Sequence, residues 1–218
     1  MKLKSTLTSQ AIRFYNYTGD EPVIERRSPI PLIRGLQDKY GFVEVPLKVI
    51  DLDFTKGVTF SRGYYKGHVI DKLALYENGL LCEAMTDNSI CDEFVSEVIG
   101  WATTEQKIPI NETGVKAFLS QLEVTTDLNL SAVFQKINAI GTRLAKALSS
   151  YGQPVPSYAV NGIRMHYDSA SMPLPRPPEF VFERRAGQPY SSNEFFSSAP
   201  LTTKDHMHIL VELEKLFH

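Results

Sequence analysis

The stretch VIDKLALYENGLLCEAM, residues 69–85, carries the clearest structural signal in this chain of 218 residues. Two apolar runs, 69–77 and 80–85, flank the dipeptide Asn78-Gly79. Asn-Gly between apolar runs is typical of a two-residue hairpin turn in which both turn residues have positive φ. Side chains alternate between the two faces of a strand. The pattern therefore predicts a β-hairpin that pairs Leu75 with Cys82 and Leu73 with Ala84, and these four side chains form its buried face.

The segments around this hairpin alternate between strand-like and helical patterns. Strand-like apolar runs cover residues 11–17, 42–45, 47–54 and 57–60, and further along the chain 157–168 and 179–185. Apolar residues at helical spacing predict four helices that begin near residues 28, 86, 131 and 203. Residues 114–126 fit either a strand or a helix, and the β-branched Val124-Thr125-Thr126 favours the strand. Residues 187–203 read as a turn-rich segment with three aromatic residues.

Hairpins dominate over strand–helix–strand crossovers in this order of elements. The sequence therefore predicts an α+β fold, with an antiparallel or mixed sheet built from hairpins and about four helices packed against it. No linker or change in composition divides the chain, so we expect a single domain over residues 1–218. The last helix has an apolar stripe that predicts docking onto the core rather than a free tail. This stripe consists of Ile209, Leu210, Leu213, Leu216 and Phe217.

Composition narrows the functional classes. Hydrophobic residues make up 43% of the chain and charged residues 22%, with a net charge of −2, which is ordinary globular composition without a strongly basic surface for nucleic acid. No apolar run reaches the roughly 20 residues that a membrane span needs. The two early lysines are not followed by the apolar segment of a signal peptide. We therefore expect a cytoplasmic protein in which Cys82 and Cys91 are free thiols.

One short motif points to phosphate chemistry. Residues 48–55 read KVIDLDFT, and an apolar run followed by D-x-D-x-T resembles the first motif of the haloacid-dehalogenase-like phosphatases. The resemblance implies that Asp51 attacks phosphorus and Asp53 moves a proton, with a magnesium ion bound nearby. Phe54 stands where that family's motif has glycine, and no later Gly-Asp-x-x-x-Asp pair supplies magnesium ligands. The alternative is a strand on which two carboxylates share the solvent side.

Histidines provide the other candidates for chemistry. His166 and Asp168 lie two residues apart in a predicted strand, so they share a face with Arg164, and a histidine held by a carboxylate can act as a general base. His206 and His208 are also two residues apart, but on a helix such residues point in different directions. They are therefore interpreted as surface or capping residues rather than as ligands of one metal ion.

The function we expect from these observations is protein–protein interaction or self-association through the exposed side or edge of the sheet, without catalysis. Aromatic residues in turn-rich segments, such as Tyr64 and Tyr190, support this hypothesis because aromatic side chains are favoured at interfaces. One alternative is a metal-dependent hydrolase or phosphatase that uses Asp51 and Asp53, or an acid–base site at His166 and Asp168. Another is a domain that binds a small ligand between the sheet and its helices. No cofactor and no bound metal are expected.

Overall fold

A computed structural model of the chain describes residues 1–17, 28–127, 134–152, 158–168 and 176–216. The strands within these ranges are β1 (Lys2–Tyr17), β2 (Val58–Tyr65), β3 (His68–Tyr76), β4 (Gly79–Ala84), β5 (Ile110–Thr125), β6 (Gly162–Met165), β7 (Phe180–Arg184) and β8 (Glu194–Ala199). The helices are α1 (Ile30–Tyr40), α2 (Asn88–Thr104), α3 (Gln135–Ser150) and α4 (Thr203–Leu216). All eight strands form one antiparallel sheet in the order β2-β3-β4-β1-β5-β8-β7-β6. The predicted α+β class is confirmed.

Two long strands occupy the centre of this sheet. β1 and β5 have 16 residues each and pair antiparallel, with register shifts at three places along β1. The structure confirms the strand prediction for residues 114–125, which lie in β5, while Thr126 follows the end of that strand. It also extends the predicted first strand, 11–17, back to Lys2, although residues 2–6 are mostly polar. Pairing with β5, more than a hundred residues away in the sequence, supplies the backbone hydrogen bonds that make this polar segment a strand.

The hairpin of β3 and β4 forms, but the prediction of its turn is wrong. Tyr76 pairs with Gly79, so Glu77 and Asn78 are the turn residues, and neither has positive φ. Gly79 lies instead within β4, where a Cβ atom would come within 2.9 Å of the Arg13 carbonyl oxygen in β1. The glycine therefore allows β4 to approach β1 closely, and this contact places the turn one residue earlier.

The predicted buried face of the hairpin is nevertheless correct. In the observed register Leu73 is opposite Cys82 and Leu75 is opposite Leu80, which is a shift of two residues from the predicted pairing. A shift of two residues leaves every side chain on its original face, because side chains alternate with a period of two. Leu73, Leu75, Cys82 and Ala84 are accordingly all buried.

Four other local predictions differ from the structure. Residues 47–54 do not form a strand and instead include a short 3-10 helix, Val49–Asp51. Residues 42–45 contribute only a single β-bridge, between Glu44 and Ser61. The predicted strand 157–168 is reduced to β6, and residue 157 lies outside the described residues. The segment 187–203, predicted to be turn-rich, contains β8. Two of the six residues of β8 are serines, so its sequence lacks the apolar alternation by which a strand is recognised. An apolar segment does not form a strand unless a neighbouring strand pairs with it, whereas a polar segment that is paired can form a strand.

Local signals predict the helix ends well. Gly41 ends α1 in the left-handed region at φ 63°, and the Asp87 side chain accepts a hydrogen bond from the Ser89 N–H at the start of α2. Thr202 does the same for α4 by accepting a bond from the Asp205 N–H at 3.2 Å. The predicted start of α3 near residue 131 falls outside the described residues.

The core lies on the side of the sheet that α1, α2 and α4 contact, which we call the inner face. Two separate apolar clusters share this face. The first cluster is the larger one and lies under α1 and α2, with Leu36, Phe60, Leu73, Cys82 and Phe94 among its fully enclosed members. The second cluster lies under α4 and consists of Leu122, Val124, Phe180, Phe182, Phe195, Ala199 and Leu210.

The C-terminal helix docks as predicted, but through a different stripe. The buried residues of α4 are Thr203, His206 and Leu210, while Ile209 and Leu213 are only partly buried against the second cluster. Leu216 is 80% exposed, contrary to the prediction, and Phe217 lies outside the described residues. The helix is therefore rotated about its axis so that two polar side chains, Thr203 and His206, enter the core with Leu210.

Candidate functional site

Asp51 and Asp53 both bind their own neighbouring backbone. The Asp51 carboxylate accepts a hydrogen bond from the Lys48 N–H at 3.0 Å and caps the short 3-10 helix. The Asp53 carboxylate accepts from the Thr55 N–H at 3.0 Å and pairs with the Lys56 ammonium at 2.9 Å. The hydrogen bond from the Thr55 side chain, followed by the one from Lys56, lowers the pKa of Asp53 to about 2. Both carboxylates hold a loop that precedes the edge strand β2.

His166 and Asp168 lie at the opposite edge of the sheet. Both residues follow the end of β6 and are exposed, so the strand alternation expected for Arg164, His166 and Asp168 stops at Met165. The His166 Nε2 atom is 2.8 Å from a carboxylate oxygen of Glu179. Asp51 and Asp53 lie near the edge strand β2, and His166 and Asp168 lie near the edge strand β6, with six strands between these two, so the structure does not bring the four candidates together.

The two cysteines are free and buried within the first cluster. Burial raises the pKa of the Cys82 thiol well above its usual value. The Cys91 sulfur lies 3.5 Å from the Ser9 hydroxyl beneath the first turn of α2. Within the described residues, no group of three or more His, Cys, Asp or Glu side chains could hold a metal ion.

A small apolar cavity lies where the small-ligand hypothesis placed a pocket, between the sheet and the helices. Tyr15, Leu75 and Leu80 line it from the sheet, and Leu36 and Val98 line it from α1 and α2. The cavity leaves room for about one water molecule and has almost no polar surface. It therefore offers a ligand neither space nor the polar groups that fix orientation in binding pockets.

A histidine that the sequence analysis placed at the surface lies at the centre of a buried polar group. His206 is fully buried between two serines, with its Nδ1 atom 2.7 Å from the Ser120 hydroxyl and its Nε2 atom 2.8 Å from the Ser197 hydroxyl. Ser197 donates its only hydroxyl proton to the Val181 carbonyl at 2.7 Å. The Ser197 oxygen must then accept from Nε2–H, which leaves Nδ1 to accept from Ser120.

Burial lowers the pKa of His206 to about 4, so the imidazole is neutral at physiological pH. A serine that donates to a neutral imidazole has the atoms of a nucleophile and its base. However, Ser120, Ser197 and His206 are all fully enclosed, and a substrate cannot reach them. The signal that could have placed His206 inside is its position three residues after Thr203 and four before Leu210, which puts all three on one side of the helix.

Asn88 extends this buried polar group to the first helix turn of α2. Its side-chain amide donates to the carbonyl oxygens of Gln10 at 2.8 Å and Leu119 at 3.0 Å, in the two central strands. Its side-chain oxygen accepts from the Thr203 N–H at 2.8 Å and also from the Thr203 hydroxyl. We call the buried group of Ser9, Asn88, Ser120, Ser197, Thr203 and His206 the polar seam. It separates the two apolar clusters on the inner face.

The opposite side of the sheet, the outer face, has an apolar area on its central strands. Cross-strand pairing places Ala74, Leu81, Ile12 and Ala117 in one row across β3, β4, β1 and β5. Phe14 and Leu119 flank this row on the same face. We call Ile12, Phe14, Leu81, Ala117 and Leu119 the outer patch. Each of its members is only partly buried, and none belongs to either cluster.

Charged residues surround the outer patch. On the β3 and β4 side, Gln10 donates to the Glu83 carboxylate at 2.6 Å, next to Lys72 in the same row. On the β5 to β8 side the charges form ion pairs that cross several strands. These pairs are Lys4 with Glu123 and Glu194, Arg185 with Glu123, and Arg164 with Glu179 and Glu183. The outer face thus has an apolar centre and a charged margin in which both signs alternate.

Comparison with known proteins gives no family for this chain. No protein-family model matches it, and a search of curated proteins returns no match. The described helices include none that is long and apolar enough to cross a membrane.

Proposed function

We propose that the protein acts by self-association, in which a second copy of the chain packs against the outer patch. The single observation that carries this proposal is the apolar row across β3, β4, β1 and β5 on the face opposite α1, α2 and α4, in which Leu81, Ile12 and Ala117 are only partly buried. The uncovered face of an antiparallel sheet is normally polar and solvated. Ile12 and Leu81 are instead adjacent apolar side chains on this face, and each remains partly exposed.

The arrangement of the outer face matches the anatomy of protein interfaces. Stable interfaces have an apolar centre depleted of charges, and a polar rim around it. Here the outer patch provides the centre, while Lys72, Glu83 and the ion pairs near Glu123 provide the rim. Two sheets that pack face to face lie about 10 Å apart and interdigitate their side chains. Side chains the size of Ile12, Phe14 and Leu81 suit this spacing.

The charges of the margin favour a second copy as the occupant. An interface between identical surfaces places the same patch on both subunits, so a face with one sign of charge repels its own copy. The margin of the outer patch contains basic and acidic residues in nearly equal number, and Lys72 lies next to Glu83. Such a margin does not repel an identical face. It also provides no net charge that would attract a strongly acidic or strongly basic partner.

The proposal assigns no catalytic role to Asp51, Asp53, His166 or Asp168. It places the protein in the cytoplasm, where the two buried thiols stay reduced. Its function there is then that of an interacting or assembling protein rather than an enzyme.

The test is the oligomeric state of two charge variants, Ile12→Lys and Leu81→Lys, measured by sedimentation equilibrium over a range of protein concentrations. We expect the unmodified chain to dimerise and both variants to be monomeric, because each lysine would be buried without a partner in the interface. Leu47→Lys is the matched control, since Leu47 is 86% exposed and lies away from the outer patch. It should dimerise like the unmodified chain.

Circular dichroism at a concentration at which all the proteins are monomeric identifies variants that fail to fold, and a folded variant should match the spectrum of the unmodified chain. An unmodified chain that remains monomeric at its highest attainable concentration would contradict self-association. Dimerisation that survives both lysine substitutions in folded protein would contradict the outer patch as its interface.

A further inference from the structure

The helix α3 combines an exposed apolar stripe with an unusual charge composition. Residues 134–151 read FQKINAIGTRLAKALSSY, with three basic residues and no acidic residue. Ile137, Ile140 and Leu144 are 54%, 57% and 48% exposed, although they follow one another at helical spacing. Tyr151, one turn beyond Leu148, is exposed as well. An apolar stripe at this spacing normally faces the core.

The rest of the helix shows why this stripe is not turned inward. Gly141 is buried against the chain at Tyr158, and a Cβ atom at Gly141 would lie 1.9 Å from the Tyr158 carbonyl oxygen. The Asn138 side chain accepts a hydrogen bond from the Val160 N–H at 2.9 Å on the same side. Ala145, one turn after Gly141, is buried too. Small and polar residues therefore anchor α3, and the larger apolar side chains remain outside.

The described cations of α3, Arg143 and Lys146, lie on its polar side, with Arg143 the nearer one to the exposed stripe. With 3.6 residues per turn, the anchored side of Gly141 and Ala145 lies on one flank of the stripe, Arg143 lies towards the other flank, and Lys146 lies beyond Arg143 on the polar side of the helix. Arg143 and Lys146 are both exposed. Their long apolar stems can follow an apolar surface while the charged ends remain in a polar layer. The exposed part of α3 thus combines an apolar stripe with a polar side whose described charges are both positive.

We propose that α3 binds the surface of an anionic phospholipid membrane and lies in the plane of the headgroups. Helices of this kind bury an apolar stripe at the boundary of headgroups and acyl chains, with lysine and arginine at the polar side. A second copy of α3 is a poor occupant because both helices would carry only positive charge. Tyr151 extends the stripe with an aromatic ring, a residue type enriched at membrane interfaces.

The membrane fits α3 better than an acidic protein does. The stripe lies on a single helix, with its members about one turn apart, so it presents a line and not a groove or a pocket. A membrane surface offers negatively charged headgroups for the cations and apolar acyl chains beneath them for the stripe. Because this surface is planar, both are present along the whole line of the helix. Each cation near an anionic surface strengthens binding about five-fold, so the expected affinity is modest and depends on salt.

The experiment is co-sedimentation of the full chain with phosphatidylcholine vesicles, with and without phosphatidylserine. We expect binding to the vesicles that contain phosphatidylserine, and a weakening of about 30-fold for the double variant Arg143→Gln/Lys146→Gln. Ile140→Gln/Leu144→Gln should weaken binding by more than the double charge variant does, because it removes the two central side chains of the apolar stripe while retaining both cations.

Matched controls change the same residue types elsewhere. Leu47→Gln/Leu216→Gln removes two apolar side chains that are 86% and 80% exposed, and Arg62→Gln/Lys66→Gln removes two exposed cations near the edge strand β2. Both controls should bind like the unmodified chain. Circular dichroism confirms that each variant has the same helix content.

Failure of the unmodified chain to sediment with phosphatidylserine vesicles would overturn the proposal. An equal loss of vesicle binding in the α3 variants and in the control variants would overturn it as well. If polyglutamate captures the chain but vesicles do not, the proposal is wrong and the partner of α3 is an acidic protein rather than a membrane. The outer patch lies on the sheet, so the dimerisation test gives its result independently of this one.

Discussion

The two halves of the sheet are built on the same inner face but are stabilised differently. The half made of β2, β3, β4 and β1 carries two helices and a large cluster of aliphatic and aromatic side chains. The half made of β5, β8, β7 and β6 carries α4, a smaller cluster, and most of the ion pairs on the outer face. The polar seam lies between them. The first half therefore depends on apolar burial, and the second depends more on hydrogen bonds and charge.

This difference predicts the largest stability loss in the first half. Phe94 in α2 is fully buried, with its ring centre 4.9 Å from that of Tyr40 and 5.2 Å from that of Tyr65. Phe94→Ala should lower the free energy of unfolding by about 3–5 kcal/mol, because it leaves a cavity among rings that cannot close around it. Urea denaturation measures this loss. A loss below about 1 kcal/mol would show that the first cluster is loosely packed.

The second half should lose stability more locally. Leu210 is fully buried, and it is the apolar anchor of α4 in the second cluster. Leu210→Ala should cost about 2–5 kcal/mol. Hydrogen exchange should then show faster exchange in α4 and β8 than in α2, because the polar seam separates the two clusters. Equal acceleration in α2 and α4 would mean that the two clusters unfold as one unit.

The polar seam itself should respond to acid. The pKa of His206 is about 4 in the folded chain, below the value near 6.5 of an unfolded histidine, so the unfolded state binds protons first as the pH falls. The stability that His206 contributes is complete above about pH 6.5 and is lost as the pH falls towards 4. Between about pH 7.5 and pH 5 this loss amounts to about 2 kcal/mol.

His206→Gln isolates this effect, because glutamine keeps a polar side chain without titrating in this range. Urea denaturation at both pH values should show a smaller acid-induced loss in the variant than in the unmodified chain. Carboxylates titrate in both proteins, so their contribution cancels in the difference. If the two proteins lose the same stability, His206 is not buried in its neutral form.

The smallest effect should come from the carboxylates at the edge of the first half. Asp51→Asn and Asp53→Asn keep an oxygen that can accept the bonds from the Lys48 and Thr55 backbone. Thermal unfolding should shift by less than about 2 °C in either variant. Self-association should also be unchanged, because the loop lies away from the outer patch. Loss of a biological activity in either folded variant would instead support the phosphatase hypothesis.

The sequence by itself determined the features that depend on neighbouring residues. The starts of the helices near residues 28, 86 and 203 are of this kind, because helix capping is a contact within one turn, as at Gly41 and Asp87. The buried face of the hairpin followed from the alternation of side chains alone, so it was predicted correctly although the position of the turn was wrong. The stripe of α2 was predicted for the same reason, since periodicity identifies which side chains share a side. The α+β class then followed from the order of these local elements.

Tertiary structure decided everything that depends on a partner distant in the sequence. The close approach of β1 to Gly79 set the hairpin register, and β5 made a strand from the polar start of β1. The same reason explains the candidate sites. Periodicity shows which residues share a side of a helix, but only packing decides whether that side faces the core. Packing turned His206 inward and left the apolar stripe of α3 outside, and the row across four strands on the outer face exists only because the sheet assembles.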